Sequence, residues 1–175
     1  MHLWLFGYGS LIWRPDIDFI ERRPARIQGW TRRFWQGSHD HRGWPHAPGR
    51  VVTLIRETGA SCDGMAYLVD RDVVDETFSQ LDHRENKCYV RHAVPLELGH
   101  NGQQDEGVVY IAPVDNFAYL GPAPLAEMAS QIHRSEGPSG RNVDYLLDLA
   151  GALRALEAED DHVFELEAAV RRLSS

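Results

Sequence analysis

No stretch of this chain approaches the roughly 20 consecutive apolar residues that a membrane-spanning helix needs, so insertion into a bilayer by a helix is not expected. Cysteine is scarce. Cys62 and Cys88 are the only two in 175 residues, too few for a disulfide framework or a cysteine-based metal knuckle, and both read as incidental thiols. Positive charge is in deficit: 18 Lys and Arg stand against 26 Asp and Glu, a formal net charge of −8. Affinity for a polyanion rests on clustered cations, so nucleic acid is not an expected partner. The opening residues Met1-His2-Leu3-Trp4 carry no basic segment ahead of an apolar one; no secretory leader is read there, and the expected compartment is the cytoplasm. Repeats and low-complexity tracts are missing as well. The remainder is ordinary for a globular chain, 43% hydrophobic and 25% charged, and its length suits one domain spanning residues 1–175.

The apolar pattern places strands in the first two thirds and helices after them. Leu3-Trp4-Leu5-Phe6 reads as a strand that breaks at Gly7-Tyr8-Gly9-Ser10, and Ala25 to Gly37 reads as a long strand twisted at Gly29. A loop from Ser38 to Gly49 follows. The β-branched run Arg50 to Ile55 then predicts a strand, with a turn over Glu57 to Asp63 and an antiparallel partner over Gly64 to Val69. Asp70 suits the N-cap of a helix running to about Asp82, whose Val74, Phe78 and Leu81 recur on one face. Period two returns over Tyr89 to Leu98, where Pro95 suggests an edge or bulge. A turn over Gly99 to Asp105 and a short strand over Gly107 to Ala112 complete the β portion. Helices are expected over Pro124 to Glu136 with Gly137 as its stop, over Asn142 to Leu156, and over His162 to Leu173 with Asp160 and Asp161 as caps. This order gives an α+β class: a small, strongly curved β-sheet or barrel flanked by α-helices.

Four features can carry chemistry. Two glycines and a hydroxyl at a strand end, Gly7-Tyr8-Gly9-Ser10, allow backbone N–H groups to converge as a cradle for a carboxylate or phosphate; an ordinary tight turn uses the same residues. Glu85 falls just past a helix end, where the macrodipole favours cations, so burial there would raise its pKa; a solvated acid is the plainer alternative. Asp82 and Arg84 read as its structural neighbours. The loop holding His39, Asp40, His41 and His46 has a His-x-His spacing that suits zinc, but no further ligand cluster completes the set, and no metal is expected. The segments Asn116 to Pro124 and Gly137 to Asn142 are rich in Gly and Pro at helix mouths, fit for connectors or for a pocket wall.

Together these segments resemble one family. Phe6 to Trp13, Pro48-Gly49-Arg50-Val51-Val52-Thr53-Leu54, Leu81-Asp82-His83-Arg84-Glu85 with Tyr89 downstream, Tyr119-Leu120-Gly121-Pro122-Ala123 and Gly137-Pro138-Ser139-Gly140-Arg141-Asn142 follow the order of the ChaC-type γ-glutamylcyclotransferases that act on glutathione. The resemblance implies a cyclotransferase fold and an enzyme that converts glutathione to 5-oxoproline and cysteinylglycine without a cofactor. It implies that Glu85 is the acid/base. It also implies a substrate-binding set of Phe6, Gly7, Tyr8, Gly9, Ser10 and Leu11, to which Arg50 and Tyr119 are added. Where the family often has a glycine pair before the tyrosine, this chain has Asn86-Lys87-Cys88. Cyclotransfer on other γ-glutamyl amino acids or amines, and a non-catalytic module that regulates cation transport, are the alternatives.

Overall fold

Two very long strands organise the architecture. A computed structural model describes residues 3–85, 88–99 and 101–174, with only the backbone of Arg84 and Glu85. Its elements are β1 (Leu3–Gly7), β2 (Glu21–Ser38), β3 (Gly49–Val69), α1 (Val74–Glu85), β4 (Val90–Leu98), β5 (Gln103–Ile111), α2 (Leu125–Arg134), β6 (Glu136–Gly137), β7 (Gly140–Arg141), α3 (Asn142–Ala155) and α4 (Asp161–Leu173). Strands β1, β3, β2, β4 and β5 close into a barrel in that order, and β6 pairs with β7 apart from it. The expected α+β barrel class holds. Its only parallel pairing described is β1 with β5, Trp4 opposite Gly107 and Leu5 opposite Val108; β1 with β3, β2 with β4 and β4 with β5 are antiparallel. The chain forms two compact units, Met1–Thr31 with Leu54–Pro113 and Arg32–Thr53 with Val114–Ser175.

The expected hairpin over residues 50–69 is replaced by the single strand β3, whose residues from Leu54 onward lie in the first unit. The polar run from Arg56 to Ser61 is not a turn but an exposed mid-strand. Its flanks are tied across the sheet: the Arg56 guanidinium lies 4.4 Å from the centre of the Trp30 ring, and Arg26 pairs with Asp63 at 2.7 Å. Gly29 and Gly59, both at φ +86°, let each long strand bend without ending. Helix α1 begins at Val74 rather than beside Asp70, because Asp70 first caps a turn through its bond to the Asp72 N–H at 2.9 Å. It runs on to Glu85, past the expected end at Asp82. Phe78 and Leu81 are buried against Leu5, Val69 and Tyr110, as their spacing required. Strand β5 starts four residues earlier than expected, its polar Gln103 to Glu106 exposed while pairing with β4. Pro95 sits outside the short β2–β4 pairing, which engages Glu97 and Leu98.

The second unit is built on packed helices. Asp160 caps α4 through the Val163 N–H at 3.1 Å, and Arg32, 2% exposed, reaches Asp160 at 3.3 Å. Fully buried Asn142 accepts from the Arg50 N–H and donates to the Arg50 carbonyl, both at 2.8 Å. That two-way amide contact engages both backbone polar groups of Arg50. Gly137 belongs to β6 and is not the stop of α2, which ends at Arg134 with extended Ser135 as its C-cap.

Candidate active site

The cradle region belongs to the first unit. Chain direction reverses after Gly7 into a 3-10 turn, Ser10–Ile12, in which the N–H groups of Ile12, Trp13 and Arg14 bond back to the carbonyls of Gly9 and Ser10 at 2.7–3.2 Å. The N–H groups of Ser10 and Leu11 open this turn and have no backbone acceptor among the described residues, as expected for the first donors of a helical turn. Gly7 is required by close approach. A Cβ there would stand 2.7 Å from the Leu11 Cβ, and one on Gly64 of β3 would stand 2.2 Å from the Gly7 carbonyl oxygen. The sequence reading missed Gly64, whose signal was a glycine inside an apolar strand run.

Three tyrosines fix this turn. The Tyr67 hydroxyl, on a side chain with no exposure, donates toward the carbonyls of Leu11 at 2.6 Å and Ile12 at 2.9 Å. Burial pushes its phenol above the ordinary value, which keeps it a donor. The Tyr8 hydroxyl donates to the Tyr110 carbonyl at 2.5 Å, and the Tyr110 hydroxyl donates to Asp82 Oδ1 at 2.6 Å. Neither Tyr67 nor Tyr110 was singled out from sequence, although a tyrosine in an aliphatic strand such as Gly107 to Ile111 announces a hydroxyl that needs a buried partner. Phe6 has no exposure, so its side chain is core and any substrate contact from it must come through the backbone. Ser10 and Leu11 are half-buried.

Glu85 closes α1 as its last residue instead of following it. Its side chain and that of Arg84, with all of Asn86 and Lys87, lie outside the described residues. Glu57 is exposed on β3, Cys62 is buried in β3, and Cys88 is half-buried; the two cysteines form no disulfide.

Arg50 and Tyr119 belong to the second unit. Buried Arg50 donates from Nε to Gln131 Oε1 at 2.7 Å and from Nη1 to the carbonyls of Phe34 and Gly121 at 2.9 and 3.0 Å. Burial pushes its guanidinium below the ordinary value. An open groove of 400 Å³ is lined by Arg50, Ala126, Glu127, Ser130, Gln131 and Arg134. Half-buried Tyr119 follows the Asn116 turn, and burial raises its phenol. In the histidine loop, His41 Nδ1 lies 3.0 Å from Ser139 Oγ, while the buried Nε2 of His39 has no hydrogen-bond partner among the described residues. His46 is exposed. Among the described residues no three His, Cys, Asp or Glu side chains gather as a metal-holding group.

Compared with known proteins, residues 3–173 match the family described as ChaC-like protein. Glutathione-specific gamma-glutamylcyclotransferase 1 of Danio rerio is 43% identical over 96% of this chain and 88% of its own. Gamma-glutamylcyclotransferase 2-3 of Arabidopsis thaliana is 42% identical over 100% of this chain and 92% of its own. Among solved structures, a gamma-glutamyl cyclotransferase specific to glutathione from yeast superposes with a TM-score of 0.90 at 31% identity, covering 98% of this chain and 96% of that one.

Proposed function

The chain belongs to the ChaC-like protein family, and from that premise we propose that it is a γ-glutamylcyclotransferase that cleaves glutathione to 5-oxoproline and cysteinylglycine. Kinship over nearly the whole length carries this reading. A γ-glutamyl amide holds its own nucleophile. Its α-amine closes a five-membered ring on the γ-carbonyl, a new C–N bond forms, and the old amide C–N bond breaks to release the dipeptide amine. Neither water nor a covalent enzyme intermediate enters the balance.

The α-ammonium is inert until it loses a proton. Glu85 takes that proton and returns one to the leaving nitrogen, the dual role for which a carboxylate is suited when its pKa lies near the working pH. The Tyr8-Gly9-Ser10-Leu11 turn grips the α-carboxylate through its opening N–H groups, and the bond from Tyr67 that steadies the turn supports this assignment. Holding the chain in a ring-closing rotamer contributes up to about 7 to 11 kcal/mol in favourable cases. Substrate binding is also assigned to Arg50 and Tyr119, on the strength of the family kinship. Residues 1–175 act as one catalytic domain, which the family match across 3–173 supports. A thiol substrate and two cysteines without a disulfide suit a reducing cytoplasm. Among the described residues no helix is long and apolar enough to cross a membrane.

The test is product analysis by mass spectrometry in water enriched in heavy oxygen. Glutathione gives unlabelled 5-oxoproline and cysteinylglycine, and N-acetylglutathione is inert. Labelled glutamate as the primary product refutes ring closure, and equal turnover of other γ-glutamyl amides widens the substrate class.

A further inference from the structure

Helix α1 is gripped in its middle by Phe78 and Leu81, both 2% exposed. Its last turn extends beyond that grip to Glu85. What ties this turn down is Asp82. Its Oδ1 accepts from the Tyr110 hydroxyl at 2.6 Å, and its Oδ2 lies 3.4 Å from Arg91 Nη2. Arg91 and Tyr110 stand directly opposite each other across β4 and β5, so one cross-strand pair presents both donors to one carboxylate. Tyr110 also serves the cradle, since its carbonyl accepts from the Tyr8 hydroxyl. One residue of the barrel therefore contacts both the helix end that carries Glu85 and the turn that carries the cradle.

We propose that Asp82 and Tyr110 are positioning residues that hold the end of α1 in register with the cradle. The inference rests on the role given above to Glu85. Proximity gains depend on geometry, and a displacement of about 1 Å can lower a rate about a hundredfold. The anchor is separable from the core. The Asp82 side chain is 46% exposed, so losing the Tyr110 hydroxyl returns the carboxylate to water instead of stranding it, and a phenylalanine ring keeps the packing of Tyr110. Its stability effect is therefore small, while its effect on alignment is not.

The experiment compares wild-type chain with Tyr110→Phe, Asp82→Leu, the double variant and Asp82→Asn. It follows 5-oxoproline release from glutathione and hydrogen exchange at the amides of His83, Arg84 and Glu85. Tyr110→Phe is expected to lower kcat about 10- to 100-fold with KM held within about threefold, and to speed exchange at those amides about tenfold. Asp82→Leu does the same, the double variant is no worse than either single one, and Asp82→Asn, which keeps a hydrogen-bonding group for Tyr110, recovers most of the loss. A folded Tyr110→Phe with wild-type kcat and exchange overturns the anchor. Losses that multiply in the double variant, or a KM that rises as kcat falls, overturn it as well. A wild-type chain inert toward every γ-glutamyl amide overturns the proposed function itself, and with it the catalytic purpose of the anchor.

Discussion

Acid should destabilise this protein in part through one histidine. His162 sits in the first turn of α4 and accepts a hydrogen bond at Nε2 from the Phe34 N–H at 2.9 Å, with its ring stacked near that of Phe34. The bond requires the neutral imidazole. Burial, reinforced by the charges of Arg33, Arg32 and Arg50, pulls the pKa from 6.5 to about 4, and the positive end of the helix dipole acts in the same direction. The folded value lies below the unfolded one, so the unfolded chain takes up the proton first as pH falls. The stability is complete above about pH 6.5 and is lost as pH falls through about 4. At about 1.4 kcal/mol per pH unit, the gap amounts to about 3 kcal/mol. Urea unfolding of wild type and His162→Gln between about pH 7 and pH 4 measures it. Glutamine offers Phe34 a carbonyl oxygen that does not titrate, so the variant is expected to lose about 3 kcal/mol less than wild type over that range. Curves that fall in parallel would refute the assignment, because the remaining titrating groups are common to both proteins.

Glu85→Gln should keep the fold and substrate binding yet lower turnover at least about a hundredfold, the usual scale for a positioned acid/base; steady-state assays on folded protein check it, and near wild-type kcat removes Glu85 from the mechanism. Gly64→Ala drives a Cβ to within 2.2 Å of the Gly7 carbonyl, so the cradle must shift. KM for glutathione is then expected to rise about tenfold or more, since an anion contact weakened by 1.4 kcal/mol loses that factor; an unchanged KM separates this glycine from binding. Leu81→Ala removes a side chain 2% exposed beneath α1 and should destabilise the protein by about 2 to 5 kcal/mol in denaturant titration, whereas a change under about 0.5 kcal/mol would mean that the helix is not held by its apolar face.

Local pattern alone determined the period-two strands, the inward face of α1, the Asp160 cap of α4 and the glycine break after β1, because each depends on neighbours within a few residues. The five ordered segments also carried the family resemblance and, through it, the interest in Glu85. Tertiary structure decided the rest. A polar run from Arg56 to Ser61 looks like a turn until the strand beside it supplies Trp30 and Arg26 as partners for its flanks, and no local rule separates a solvent-facing strand from a loop. The resemblance adds Arg50 to the substrate-binding set; that Gln131 and Gly121, distant in sequence, accept hydrogen bonds from its guanidinium is visible only in the fold. The Tyr8–Tyr110–Asp82 contacts join three separate segments, invisible until closure of the barrel brings β5 between β1 and β4. Sequence periodicity specifies which face of an element seeks burial; only the folded register specifies which polar group meets which, since hydrogen bonds form across space and not along the chain.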